Sequence, residues 1–232
     1  MKPFPWLLTL FTAPALALLI GLGVWQVQRL HWKEALIDQS EAAGRLAPET
    51  IDTVLRSANP EFHRAVIVCP GLPTAPYVEL QSIHDGAVGS RLISACKTPS
   101  LGQPFLIDRG FIPDTVTTRP DTAASTLPLS LLVELRRTPA PGAMSPPPSD
   151  GRFFARDSSA FAKALHIDTP SEFTLFALAS SNPDITALDA SAPPAAFTNN
   201  HFGYALTWFG LALALVGFYA AMLRRRMQKD RS

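Results

Sequence analysis

Two long apolar runs bracket a central stretch in which short apolar runs alternate with proline and glycine. No Asp, Glu, Lys or Arg occurs from Pro3 to Gln28, nor from Ala190 to Leu223. Each run exceeds the roughly 20 residues that a helix needs to cross bilayer hydrocarbon, so the pattern predicts a transmembrane helix at either end. The first run contains a small-residue triplet, Ala15-Leu16-Ala17, that would suit signal cleavage, but it stays apolar to Val24 and carries only Lys2 ahead of it. An uncleaved anchor is therefore the better reading. Beyond it, Leu30, Ala35, Leu36 and Ile37 keep helical spacing to about Gly44.

Between the runs the pattern turns to strands. A helical turn from Glu49 to Arg56 is followed by β-prone segments at Phe62–Val68, Tyr77–Ile83, Arg91–Cys96, Phe105–Ile112, Leu129–Arg137 and Phe173–Ala179. A proline-rich loop, Pro139 to Pro148, and a helix from Ser158 to His166 separate the last two. The expectation is an α+β membrane protein: two transmembrane helices flanking a small β-rich domain, a sandwich or partial barrel with one inserted helix. Its parts are an N-terminal transmembrane helix at 1–25, a juxtamembrane helical extension at 26–45, the β-rich domain at 46–198, a C-terminal transmembrane helix at 199–223 and a basic tail at 224–232.

Charge sets the orientation. Arg224, Arg225, Arg226, Lys229 and Arg231 crowd beyond the second run and should stay cytoplasmic, which exports the middle domain and leaves both termini inside. A net charge of +1 gives no basis for nucleic-acid binding. Cys69 and Cys96 then lie in a compartment that permits disulfides. If the first three strands form a meander, both fall near strand ends at one edge, where a bridge could form; no C-x-x-C spacing marks a metal or haem-attachment motif. Nucleophile elbow, phosphate loop, dinucleotide fingerprint and H-E-x-x-H are all missing. His63, His84 and His166 are each isolated and read as surface residues. Asp108-Arg109-Gly110 reads as a strand-terminating ion pair with a turn glycine, the alternative being a catalytic acid with its partner.

Candidate chemistry gathers at the two membrane entries. Thr9, Ala13, Ala17 and Gly21 form a small-residue row in the first run, continued at the same spacing by Trp25, Arg29 and Lys33. In the second run Gly203, Thr207, Gly210, Ala214, Gly217 and Ala221 form one stripe, and His201, Tyr204, Trp208, Leu211 and Leu215 another on nearly the opposite side. Asn199 is the expected helix cap. Trp25, Tyr204 and Trp208 fit an interfacial aromatic belt, and Arg29 and Lys33 fit contacts to membrane lipid phosphate. The sharper alternative is a cofactor site, since histidine is costly toward lipid and ligates haem iron, while a guanidinium suits carboxylates. Pairing of the two small-residue rows would leave His201 open; packing of the His201 face on Trp25 and Arg29 would put a cofactor between the spans.

Three segments carry a resemblance. Gly23-Val24-Trp25-Gln26-Val27-Gln28-Arg29 with Lys33, Asp108-Arg109-Gly110-Phe111-Ile112-Pro113, and Asn199-Asn200-His201-Phe202-Gly203-Tyr204-Ala205-Leu206-Thr207-Trp208-Phe209 look like the Surfeit locus protein 1 family, in family order and framing nearly the whole chain. The family pattern usually reads Asn-Arg-Gly-Trp where this chain has Asp108-Arg109-Gly110-Phe111. The resemblance implies a non-enzymatic assembly factor of the bacterial inner membrane, with cytochrome c oxidase subunits as partners and haem a as a transiently bound cofactor. In that reading His201 is an axial iron ligand, Tyr204, Trp208 and Trp25 lie against the macrocycle, and Arg29 or Lys33 lies near its propionates. The competing expectation is a scaffold that binds oxidase subunits and never holds haem.

Overall fold

The computed structural model describes residues 5–98, 101–138, 140–149, 151–192 and 199–229, so Lys2, Pro139 and Arg231 lie outside the described residues. In chain order the elements are α1 (Trp6–Gly44), β1 (Glu49–Thr50), α2 (Ile51–Leu55), β2 (Arg64–Pro70), a 3-10 turn (Leu72–Thr74), β3 (Tyr77–His84), β4 (Ala87–Cys96), β5 (Phe105–Pro113), β6 (Pro128–Arg137), β7 (Arg152–Phe153), α3 (Ser158–Ala164), β8 (Phe173–Ala177) and α4 (His201–Lys229). They form two compact units, Met1–Asp38 with Ala196–Ser232, and Gln39–Ala195.

In the helical unit, α1 and α4 are both long and apolar enough to cross a membrane. They run antiparallel, with Thr9 Oγ1 2.6 Å from Tyr219 Oη near one end and His201 Nδ1 2.6 Å from Gln26 Oε1 near the other. Among the shielded positions of α4, His201, Ala205, Trp208, Ala212, Leu215 and Tyr219 form one set, with Phe209 beside it; among those of α1, Thr12, Leu16, Leu19, Gly23 and Gln26 form another. Both sets alternate steps of four and three, the spacing that keeps one seam facing its partner. Gly23 admits the Phe209 ring of α4, because a Cβ there would stand 2.6 Å from it.

Of the two packings left open by the sequence, pairing of the small-residue rows is therefore not the one observed. Gly21, Gly203, Gly210 and Gly217 have nothing within 4 Å of a built Cβ, so the glycines of both rows face away from the seam, although Thr9, the first member of the α1 row, meets Tyr219. On α1 the reason is geometric: each step of four overshoots a full turn by about 40°, and the row from Thr9 to Lys33 winds off any straight neighbour. On α4 the reason is polarity. Burying the glycine stripe would turn His201 and Tyr219 out of the seam and unpair them, whereas the observed seam pairs them with Gln26 and Thr9. Gly23→Leu is expected to force the helices apart and lower the thermal midpoint of the full chain in detergent, by overpacking worth about 1–3 kcal/mol. Gly210→Leu should leave the midpoint unchanged, and equal effects at both positions would contradict this seam.

In the second unit, α2 and α3 accompany one eight-stranded mixed sheet, ordered β1-β2-β6-β8-β5-β4-β3-β7, rather than two sheets packed face to face. Among the described residues, β3, β4 and β5 form a meander; β2 pairs with β6, and β8 inserts parallel to β5. The first three long strands thus do not form the expected meander, yet Cys69 and Cys96 are bridged, with a Cα separation of 5.4 Å. Three strands separate β2 from β4 in the sheet. Four steps of about 4.8 Å would set them roughly 19 Å apart in a flat sheet, so this sheet curls strongly on itself. Ala65, Ile67, Phe105, Ile107, Leu131, Val133, Leu175 and both cysteines fill one hydrophobic core, and Leu106 on the alternate face of β5 joins a second core with Val78, Leu80, Ile93, Phe153 and Phe161. Asp157 caps α3, accepting the Ser159 and Ala160 amides at 3.0 Å each. The end of α1 is held by Arg64, whose Nη2 donates to the carbonyls of Gly44 and Leu46 at 2.6 and 2.9 Å.

Candidate functional site

α4 begins at His201 because the apolar run resumes there and the Asn200 carbonyl accepts the Tyr204 amide at 3.3 Å. Asn199, expected to cap it, does not: its Oδ1 is shielded and has no hydrogen-bond partner among the described residues. The His201 ring is half-buried, with Nδ1 against Gln26 Oε1. Gln26 is only 9% exposed. Sequence reasoning missed it, although an amide inside an apolar run that spaces as Leu19, Gly23, Gln26 was the available signal.

The remaining expected residues divide around that pair. At about 100° per residue, Tyr204 stands about 60° to one side of His201 on α4, while Trp25 and Arg29 stand about 100° and 60° to one side of Gln26 on α1. Because the helices are antiparallel, these sides coincide, and the three residues share one flank of the seam. That flank is open: Trp25 is 52% and Tyr204 57% exposed. Arg29 stacks its guanidinium on Trp32 at 3.8 Å from the ring centroid, a cation–π contact that keeps its edges outward. Trp208 lies in the seam itself, half-buried two turns along α4. Lys33 is one turn beyond Arg29 and half-buried.

Asp108-Arg109-Gly110 does not end a strand. It lies inside β5 at a bulge, where Arg109 and Gly110 oppose the single residue Leu92 between the pairs Arg91↔Phe111 and Ile93↔Asp108. Gly110 has φ +128°, and a Cβ would stand 2.2 Å from the Asp189 carbonyl oxygen, so neither the backbone nor the space suits a side chain. Asp108 and Arg109 are not partners. Asp108, fully buried, accepts from Arg91 Nε at 2.8 Å and Arg156 Nη2 at 2.6 Å. Among the described residues, Arg109 is hydrogen-bonded to neutral groups: Ser181, Ser94, Asn182 and the Pro73 carbonyl. Burial pulls its pKa down to about 10, which leaves it charged at neutral pH. The Phe176 ring has the guanidinium carbons of Arg156, Arg136 and Arg91 at 4.8, 5.2 and 5.9 Å. Asp108 thus neutralises a crowd of cations rather than standing as a catalytic acid.

Nearby, Tyr77, Glu79, Asp114, Arg119 and Arg152 line a surface cleft of about 540 Å³. Burial pushes the Glu79 carboxyl up, but the hydrogen bond and charge of Arg119 outweigh it and hold Glu79 below its ordinary value. His84, half-buried at the β3–β4 hairpin, sits 3.1 Å from the Asp189 carboxylate. Among the described residues, no group of three His, Cys, Asp or Glu side chains could hold a metal ion.

Two membrane-length helices closed by a polar pair, joined to one curled and disulfide-linked sheet, fit a two-pass membrane protein with a β-domain between its helices and an aromatic flank near the start of α4. The SURF1 family profile matches residues 13–213, and the chain belongs to that family. It is 25% identical over 233 residues to Surfeit locus protein 1 of Mus musculus, covering 90% of this chain and 72% of that one. The Xenopus tropicalis protein of the same name is 26% identical over 252 residues, covering 96% and 76%. A SURF1-like protein of Rickettsia conorii is 42% identical over 60 residues, 24% of this chain and 25% of that one.

Proposed function

We propose that this protein is a cytochrome c oxidase assembly factor that holds haem a as cargo on the flank formed by His201, Tyr204, Trp25 and Arg29, and passes it to an oxidase subunit. The family is known for oxidase assembly, and its members act there as assembly factors rather than catalysts. The observation that carries the haem reading is the His201 ring, fixed through Nδ1 and bordered by two exposed aromatic side chains and a guanidinium. The donor set fits the cargo: an imidazole for iron, flat aromatic faces for a macrocycle, and cations at Arg29 and Lys33 for propionates. A single protein ligand on an open flank binds loosely enough to release. The basic run Arg224-Arg225-Arg226 supports cytoplasmic termini in a bacterial inner membrane, and the Cys69–Cys96 bridge supports an oxidising, periplasmic location for the sheet.

The test is to co-express the chain with a haem a source, purify it, and compare visible spectra with those of His201→Ala. Loss of most bound haem in the variant is expected; undiminished haem would remove His201 from the ligand role. The scaffold reading has its own support, since the open row Gly203, Gly210, Gly217 would admit a partner's transmembrane helix closely. Crosslinking to oxidase subunits with no haem absorbance at any loading would favour it.

A further inference from the structure

We infer that Gln26 is a positioning residue: it fixes His201 as the Nδ1–H tautomer and thereby presents the Nε2 lone pair as a metal ligand. That the metal is haem iron rests on the function proposed above; the tautomer does not.

An amide oxygen can only accept, so across the 2.6 Å contact from Gln26 Oε1 the His201 Nδ1 must donate. A neutral imidazole has one N–H, which leaves Nε2 bare. This is the less common tautomer of free histidine, so the structure has to impose it. The means are visible. Gln26 is 9% exposed on a helix with no charged side chain from Pro3 to Gln28. A buried amide in such surroundings is costly without a partner, and His201 is the side chain that supplies one. Gly23, one turn away, lets the Phe209 ring come against the α1 backbone, and buried Ala205 adds little bulk beside His201. The helices therefore approach closely enough for the amide to reach the ring.

Ligating histidines commonly donate their second ring nitrogen to a carbonyl or carboxylate, which sets ring orientation and raises ligand basicity. A neutral amide gives the weaker push of those acceptors. That suits a ligand that must let go of its metal.

The measurement is made on the full chain in lipid nanodiscs at alkaline pH with 15N-labelled histidine, the His201 signals being assigned by their loss in His201→Ala. Nδ1 should show a protonated, pyrrole-type shift and Nε2 a bare, pyridine-type shift; in Gln26→Leu the pattern should invert. An Nε2–H ring in the parent protein, or an unchanged ring in Gln26→Leu, overturns the inference. Should Gln26→Leu fail to fold, the parent spectrum alone decides. In haem-loaded protein, Gln26→Glu should lower the midpoint potential and Gln26→Leu raise it, because a carboxylate strengthens and an alkyl group removes the pull on Nδ1–H. Shifts in the same direction would mean that Gln26 only packs, and would also overturn the inference. A parent that holds no haem, or a His201→Ala variant that keeps it, defeats the haem reading while the tautomer measurement still stands or falls by itself.

Discussion

Converting Cys69 and Cys96 to serine is expected to lower the stability of the Gln39–Ala195 unit by about 3–4 kcal/mol, the loop-closure value for a bridge across this span. The two residues are 27 apart in sequence, and both are almost fully buried in the larger core. Their place in the sheet makes the bridge more than a local clasp. It ties β2 to β4 across three intervening strands, and so holds the curl that encloses Ile67, Phe105, Ile107, Val133 and Leu175. Without it the curl depends on that core and on the short edge strands β1 and β7, each of two residues. For a unit of this size the loss should lower the thermal midpoint by roughly 10 °C. Melting of the full chain in nanodiscs, followed by the β-sheet circular dichroism signal with and without reductant, reads it directly. Midpoints within about 2 °C of each other would show that the curl needs no bridge.

The bridge also shows how far the sequence could be read. Charge-free runs and β-prone segments located the helices and all the long strands, because those signals are local. The partners of each strand are not local. That β2 joins β6 and that β8 lies parallel to β5 follow from how the chain crosses the sheet, and no residue in Arg64–Pro70 or Phe173–Ala177 announces it. The cysteines were legible as bridge candidates, but for a meander that does not exist. At the helix entry, His201, Tyr204, Trp25 and Arg29 were legible as costly or interfacial residues, whereas the flank they share depends on which face α4 turns to α1. Gln26 and Tyr219 decided that face. The glycine stripe was the more conspicuous pattern, and it lost to a seam in which Gln26 pairs with His201 and Thr9 with Tyr219. The reading of Asp108-Arg109-Gly110 failed for a related reason: adjacent residues in a strand point to opposite faces, so neighbours in sequence are poor candidates for an ion pair.

Asp108→Ala is expected to destabilise the sheet unit by about 3–5 kcal/mol, the range for removing one partner of a buried ion pair. Arg91 is 2% exposed, and its other hydrogen bond goes to the Ser191 carbonyl, so loss of the carboxylate strands a guanidinium in the interior. Arg156 also loses its acceptor, but at 22% exposure it can turn toward water and recover most of its solvation. The penalty therefore lies on Arg91, which gives a second, sharper expectation. Adding Arg91→Met to Asp108→Ala should restore much of the lost stability, since a buried pair replaced by apolar side chains is often neutral. Asp114→Ala is the control, because its pair with Arg152 is about a third exposed on both sides and should contribute less than about 1 kcal/mol. Denaturant midpoints for the four proteins settle the matter. A double variant no more stable than Asp108→Ala would mean that Asp108 matters through its 3.2 Å hydrogen bond from the Gly110 amide at the bulge, and not through the charge it neutralises.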